Sequence, residues 1–211
     1  MKTLYEQVLR KIQRDGFLEF CKLAGQIIVN FVYLERKGFL LWRNLQEPIQ
    51  VNSCSRAVEL RQAAISDISK FNLGLDNNMV AKFEERLNNK KLGFLGLIDA
   101  HVVSYCWVSL NNEYETWLGT LVCVEKGTVY FYDSYTHPEH RATGIHSAVL
   151  HYALIHLRGQ GYKSALAVVG IENVPSLRSY RKLGFHEIEM IMTRRVFGIV
   201  VKTYKRPLPL L

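Results

Sequence analysis

Apolar residues follow two rhythms along this chain, and the change between them divides it. From Phe17, the residues Phe17, Phe20, Cys21, Ala24, Ile28, Phe31 and Val32 recur at spacings of three and four, the stripe of one helix face. Asp15-Gly16 separates it from a shorter preceding helix, Phe39 to Trp42 suits a short strand, and Pro48 interrupts any element after it. Residues 1–55 are therefore expected to form a helical extension. Its stripe reads as the face of a helical hairpin packed on the main domain, with a membrane-surface or partner-binding helix as the alternative.

From residue 56 to the end, short strands and helices alternate in a second unit. Ala57 to Arg61 reads as a strand, and Ser66 and Asp67 can cap a following helix by accepting the free N–H groups of its first turn. A second helix fits Asn77 to Asn89. Leu92 to Ile98 and Val102 to Ser109 form a hairpin through Asp99-Ala100-His101. Trp117 to Val124 leads through Glu125-Lys126-Gly127 into Thr128 to Thr136, so this part is β-rich and mostly antiparallel. After Pro138 the pattern changes to strand, helix, strand, helix. Ile145, Ala148, Val149, Tyr152 and Ala153 share a face, Gly159 or Gly161 ends that helix, and Ser164 to Val169 has the unbroken apolar character of a strand covered on both sides. Asn173 to Leu183 is a short helix closed by Gly184. Phe185 to Met192 and Val196 to Tyr204 pair through a turn near Arg194-Arg195. The predicted class is α/β (α+β): a mixed, mostly antiparallel twisted sheet flanked by helices.

Composition narrows this picture without redirecting it. The 211 residues are 48% hydrophobic and 22% charged, globular values, and the chain can bury a core without disulfide or metal staples. The longest charge-free stretch near the N-terminus, Leu23 to Leu34, is too short to span a bilayer, and the first residues lack the pattern of a secretory signal. Cys21, Cys54, Cys106 and Cys123 have neither zinc-ligand nor redox spacing, so free thiols and a cytoplasmic location are expected. The anomaly is a net charge of +8, which fits nucleic acid, an anionic membrane or a small polyphosphate.

The segment Tyr130 to Gly144 favours the polyphosphate. A strand runs into a short polar turn that opens a helix, a geometry that aims unpaired backbone N–H groups and the positive end of a helix dipole at one point. A pyrophosphate fits there. Arg141 adds charge, and Ala142, Thr143 and Gly144 are small enough to admit a ligand close to the backbone.

About thirty residues on, after a buried-type strand, comes Asn173-Val-Pro-Ser176-Leu-Arg-Ser-Tyr180-Arg-Lys182-Leu-Gly184-Phe185. Together with Arg141-Ala-Thr-Gly144-Ile145-His146, this resembles the GCN5-related N-acetyltransferase (GNAT) superfamily over about residues 56 to 204. The resemblance implies an enzyme that transfers an acyl group from acetyl-CoA or another acyl-CoA to a small-molecule or peptide amine by direct attack on the thioester, without a metal. It implies that Tyr135, Thr136, Arg141, Ala142, Thr143, Gly144, Ile145 and His146 hold the coenzyme along the strand end and turn. Asn173, Ser176, Tyr180 and Lys182 then flank its thiol end, and Tyr180 protonates the departing thiolate. A phenol near pKa 10 can do this for a thiolate at neutral pH.

Two features depart from that pattern. His146 stands where the family has Gly or Ala. Its ring either turns outward and spares the cradle, or crowds it and alters the donor site. The strand also lacks an obvious base to deprotonate the acceptor. Tyr130, Tyr132 and Ser134 share one face, and Asp133, its only carboxylate, lies on the other unless a bulge intervenes. Glu113, Glu115 and Glu125, in the preceding insertion, and water-mediated deprotonation are the alternatives. An apolar acceptor pocket is expected from Tyr114, Trp117, Tyr130, Phe131 and Tyr132, or else these residues are core. His146, His151 and His156 diverge around a helix, and His137 and His140 are expected in solvent, so no metal site is predicted. A non-catalytic CoA-binding module is the alternative function. A nucleic-acid binder lacks any motif beyond its basic residues, and a homodimer is open.

Overall fold

The computed structural model describes residues 22, 25, 32–49, 57–70 and 77–209, and among these the apolar runs form ten strands and three α-helices. In chain order the strands are β1 (Tyr33–Asn44), β2 (Glu59–Gln62), β3 (Leu92–Ile98), β4 (His101–Ser109), β5 (Glu113–Glu115), β6 (Thr120–Val122), β7 (Thr128–Thr136), β8 (Ser164–Gly170), β9 (His186–Val196) and β10 (Ile199–Pro207). The helices are α1 (Asn77–Asn88), α2 (Ile145–Gly159) and α3 (Val174–Lys182). Eight strands form one sheet in the order β10-β9-β1-β8-β7-β4-β3-β2, antiparallel except for the β7–β8 pair, and β5–β6 is a separate hairpin. The mixed, mostly antiparallel sheet flanked by helices is the predicted fold class.

Side-chain alternation along the strands gives the sheet two apolar faces. On one, Phe94, Cys106, Val108, Val129 and Phe131 meet Ile145, Val149, Leu150, Ala153 and Leu154 of α2 and Leu177 and Tyr180 of α3. On the other, Phe83 of α1 packs on Leu95, Leu97, Tyr105 and Trp107. The uninterrupted apolar run of β8 is buried from both sides, as expected of a central strand.

Three expectations change. The short strand expected inside a helical extension is β1, twelve residues long and paired along its length with β8 and β9 in the middle of the sheet. The sheet thus begins at Tyr33, inside the stretch assigned to the extension; the stripe from Phe17 to Phe31 lies outside the described residues. β1 also reaches α3. Buried Arg43 donates through Nη1 to the Leu183 carbonyl and through Nη2 to the Pro48 carbonyl at 2.8 Å, and a Cβ on Gly184 (φ +79°) would lie 1.7 Å from Nη1. Second, Asp67 does not open an α-helix. It sits fully buried in a 3-10 turn, Ile65–Lys70, accepting from the Ala64 N–H and pairing with Arg61. Third, the last hairpin turns at Phe197-Gly198, both with positive φ, because Arg194 and Arg195 continue β9. No helix among the described residues is long and apolar enough to cross a membrane.

Candidate active site

Strands β7 and β8 pair only from Thr128–Ser164 to Phe131–Ala167 and then separate. The cause lies in β7. Tyr132 is opposite Trp107 and Tyr135 opposite Tyr105, so Asp133 and Ser134 together face Cys106 in a bulge, with Asp133 at φ +44°. A bulge bends a strand and re-aims its side chains, and here it leaves a V-shaped opening with one cleft on either side.

The first cleft, about 1080 Å³, is built on the turn after β7. Ala142 (φ +60°) and Gly144 (φ +85°) adopt the left-handed region, and Gly144 is the N-cap of α2. The first bond of that helix runs from Ala148 N–H to the Gly144 carbonyl at 3.0 Å, so the N–H groups of Ile145, His146 and Ser147 have no acceptor within the helix. Arg141 donates through Nε to the Thr136 carbonyl at 3.1 Å and lies over the Tyr135 ring, and Thr143 Oγ1 donates to the His140 carbonyl. Among the described residues the lining includes Arg141, Arg178 and Lys182 and no carboxylate. Ile145, fully buried, can offer a ligand only its backbone.

The second cleft, about 900 Å³, lies between β1, the β5–β6 turn, β8 and α3. Among the described residues its lining carries four carboxylates, Glu35, Glu115, Asp133 and Glu172, against two cations, Arg36 and Lys37. The two clefts share Ser134, Asn173 and Ser176, and Tyr180 lines the second beside them. Asn173 is the N-cap of α3, its Oδ1 accepting from Ser176 N–H at 3.3 Å. Burial raises the Tyr180 phenol well above its ordinary value, against which the Ser134 hydroxyl bond works only in part, so the side chain is a neutral hydrogen-bond donor.

The structure therefore brings together Ser134, Thr136, Arg141 to His146, Asn173, Ser176, Tyr180 and Lys182 around one opening. His146 departs from its outward placement. The residue is half-buried, yet its Nε2 is fully buried without a hydrogen-bond partner among the described residues, and its ring meets Tyr180 edge-on at 6.3 Å. Its helical position turns the side chain towards Tyr180 of α3. Burial lowers the imidazole from 6.5 to about 4, so it stays neutral near pH 7. Below pH 6.5 the unfolded chain takes up a proton that folded His146 refuses, so stability falls as the pH drops from 6.5 towards 4. A His146→Gln variant should lose about 1–2 kcal/mol less than the parent between pH 7 and 5 in urea denaturation.

The bulge that Asp133 needed to share the face of Tyr132 is present, and Asp133 lines the second cleft. The bulge places it on the α1 side, where Arg86 Nη1 lies 2.5 Å from Oδ2 as an ion pair without hydrogen-bond alignment and Lys82 Nζ is at 3.9 Å. Of the expected aromatic pocket, only Trp117 lines the second cleft; Phe131 is in the α2 core and Tyr114 is exposed. The expected strand across Trp117 to Val124 is a turn followed by β6. His137 and His140 are half-buried rather than free in solvent, and with Glu139 each brings a ligand atom within 4.8 Å of the others; no fourth ligand joins them among the described residues.

The model for the acetyltransferase (GNAT) family matches residues 62–185, more than half of the chain. The chain belongs to the GNAT family. Solved structures agree on the fold. A GCN5-related N-acetyltransferase from Sphaerobacter thermophilus is 14% identical at a TM-score of 0.56, covering 82% of this chain and 56% of that one. A Drosophila protein is 10% identical at 0.54, with 85% and 58% covered, and a GNAT-family protein from Novosphingobium aromaticivorans is 10% identical at 0.50, with 75% and 63% covered. The chain spans a little over half the length of the first two. The family match includes the turn after β7 and α3 and leaves out β1, β9 and β10 of this GNAT chain.

The sequence reading did not find the anchoring of the β5–β6 turn. Arg195 Nη2 donates to the Thr116 carbonyl at 2.6 Å, Arg36 to the Trp117 carbonyl, and Thr193 Oγ1 to the Leu118 carbonyl at 2.5 Å. The Trp117 ring lies against Gly38 and Gly170, where added Cβ atoms would come within 3.3 and 2.9 Å of it. These partners are 53 to 81 residues away in sequence, and the pairing of β1 with β8 brings the two glycines together.

Proposed function

We propose that this GNAT protein is an N-acyltransferase, moving an acetyl or related acyl group from acyl-CoA to a small-molecule or peptide amine. One observation carries the reading: a cationic cleft with a backbone N–H cradle and a cleft rich in carboxylates meet at Ser134, Asn173 and Ser176, beside Tyr180. Coenzyme A carries several negative charges and suits the first; an ammonium suits the second.

In this reading the pyrophosphate sits on the N–H groups opening α2, with Arg141 closing over it and Lys182 adding charge. The pantetheine runs along the free edge of β7, past Tyr135 and Thr136, where β8 has left. The thioester then lies at the meeting of the clefts. The amine nitrogen attacks its carbonyl carbon, the C–S bond breaks, and sulfur takes the Tyr180 proton as the nitrogen gives up its own to refill the phenol. Because burial disfavours a phenolate, these two proton movements belong to one step.

The test is thiol release from acetyl-CoA in the presence of primary amines, with coenzyme binding measured by calorimetry. Amine-dependent release is expected. Tight coenzyme binding with no release would make the protein a non-catalytic CoA-binding module.

A further inference from the structure

We infer that Glu115, presented by the β5–β6 hairpin and held by Tyr130, is the catalytic base that receives the acceptor as an ammonium; this rests on the acyl-transfer reading. The other carboxylates of the second cleft are otherwise placed. Glu35 is paired with Lys37 at 2.9 Å and Arg194 at 3.0 Å, Asp133 with Arg86 and Lys82, and Glu172 lies on the exposed rim. Glu115 forms no ion pair with a Lys or Arg among the described residues. Its Oε2 accepts from the Tyr130 hydroxyl at 2.7 Å and its Oε1 from the Trp117 N–H at 3.3 Å.

Both partners are neutral donors, so they orient the carboxylate without satisfying its charge. Tyr130 is fully buried, stacks on Tyr132, and is kept protonated by burial and by the carboxylate beside it. Glu115 and Tyr180, the proton donor for sulfur, line the same cleft. The guanidinium and hydroxyl bonds to the carbonyls of Thr116, Trp117 and Leu118 fix the turn that carries Glu115, and Gly119 N–H closes it onto the Glu115 carbonyl at 2.6 Å.

The chemistry balances. R–NH3+ gives one proton to the Glu115 carboxylate, leaving R–NH2 and a neutral acid. The nitrogen lone pair forms the N–C bond, the C–S bond breaks, and the nitrogen's next proton passes to sulfur through Tyr180. Glu115 then releases its proton to water, and the net products are the amide, the free thiol and one proton. The acceptor class is an amine that arrives protonated, drawn by a cleft in which carboxylates outnumber cations.

The test compares two amines with the full chain and acetyl-CoA at neutral pH, subtracting the spontaneous reaction. n-Butylamine arrives as an ammonium and needs the base; hydroxylamine is largely unprotonated and does not. Glu115→Gln should lower kcat/KM for n-butylamine about 100-fold, leave hydroxylamine within about threefold of the parent, and leave acetyl-CoA affinity unchanged. Tyr130→Phe, which frees the carboxylate to turn away, should lower the n-butylamine rate about tenfold. Equal losses for both amines would make Glu115 a wall of the cleft and overturn the inference, as would no loss at all. A parent protein that binds acetyl-CoA and acetylates neither amine would contradict the transfer reading itself, and the inference with it.

Discussion

Replacing Tyr180 by Phe should slow amine-dependent thiol release by about 10²- to 10³-fold, the range of a single positioned proton donor, and leave the acetyl-CoA dissociation constant within about twofold. The side chain is buried, packed edge-on against Phe185 at 5.0 Å and His146 at 6.3 Å, and Phe keeps both contacts. The substitution removes only the hydroxyl, which meets Ser134 where the clefts join. A stability change is small, since Ser134, which bonds the hydroxyl, can turn to Cys106, whose sulfur already accepts from it at 3.2 Å. Turnover and binding are measured separately, by stopped assays and calorimetry. Unchanged turnover would remove Tyr180 from the proton path; weakened binding would place it in the coenzyme's grip.

The second large effect is expected at Gly144. At φ +85° the backbone lies where a β-branched residue is strained by about 1–2 kcal/mol, and Val would relieve this by moving the start of α2. That movement takes the N–H groups of Ile145, His146 and Ser147 out of register. Losing two bonds to a charged phosphate, each worth about 1.5–3 kcal/mol, weakens acetyl-CoA binding at least 100-fold. Gly161 is the control. It follows α2 at φ +89° with nothing within 4 Å of an added Cβ. Gly161→Val should cost similar stability and leave acetyl-CoA affinity alone. If both variants lose affinity equally, strain in α2 rather than the cradle is responsible.

The readable parts of this protein were those whose logic is local. The cradle could be read because Arg141 to His146 are contiguous and a helix start always exposes N–H groups. Asn173 and Tyr180 could be read because α3 places them by its own turn. The strand of β1 is also local, but its place is not: Phe39 to Trp42 shows an apolar run and says nothing about lying between β8 and β9. Asp133 depended on a bulge that no residue type announces, and the bulge moved it to the α1 face, where Arg86 and Lys82 engage it. His146 had two placements in sequence, of which the outward one was favoured because Gly144 is retained, and its packing on Tyr180, 34 positions away, turned it inward. Glu115 stood among three glutamates in an insertion. Lys91 pairs with Glu113 and leaves Glu115 to Tyr130, a distinction made only by tertiary contact.

The net charge of +8 is spatially sorted. Among the described residues, Arg141, Arg178 and Lys182 stand in one cleft without a carboxylate, and the other cleft carries more carboxylates than cations. That separation is the central claim, and a crystal structure of the protein with coenzyme A tests it most directly. The account predicts the pyrophosphate on the N–H groups at the start of α2 beside Arg141, and the sulfur at Ser134 within hydrogen-bonding reach of the Tyr180 hydroxyl, open to the cleft that holds Glu115. Coenzyme bound away from this turn, or with its sulfur directed away from Tyr180, would contradict it.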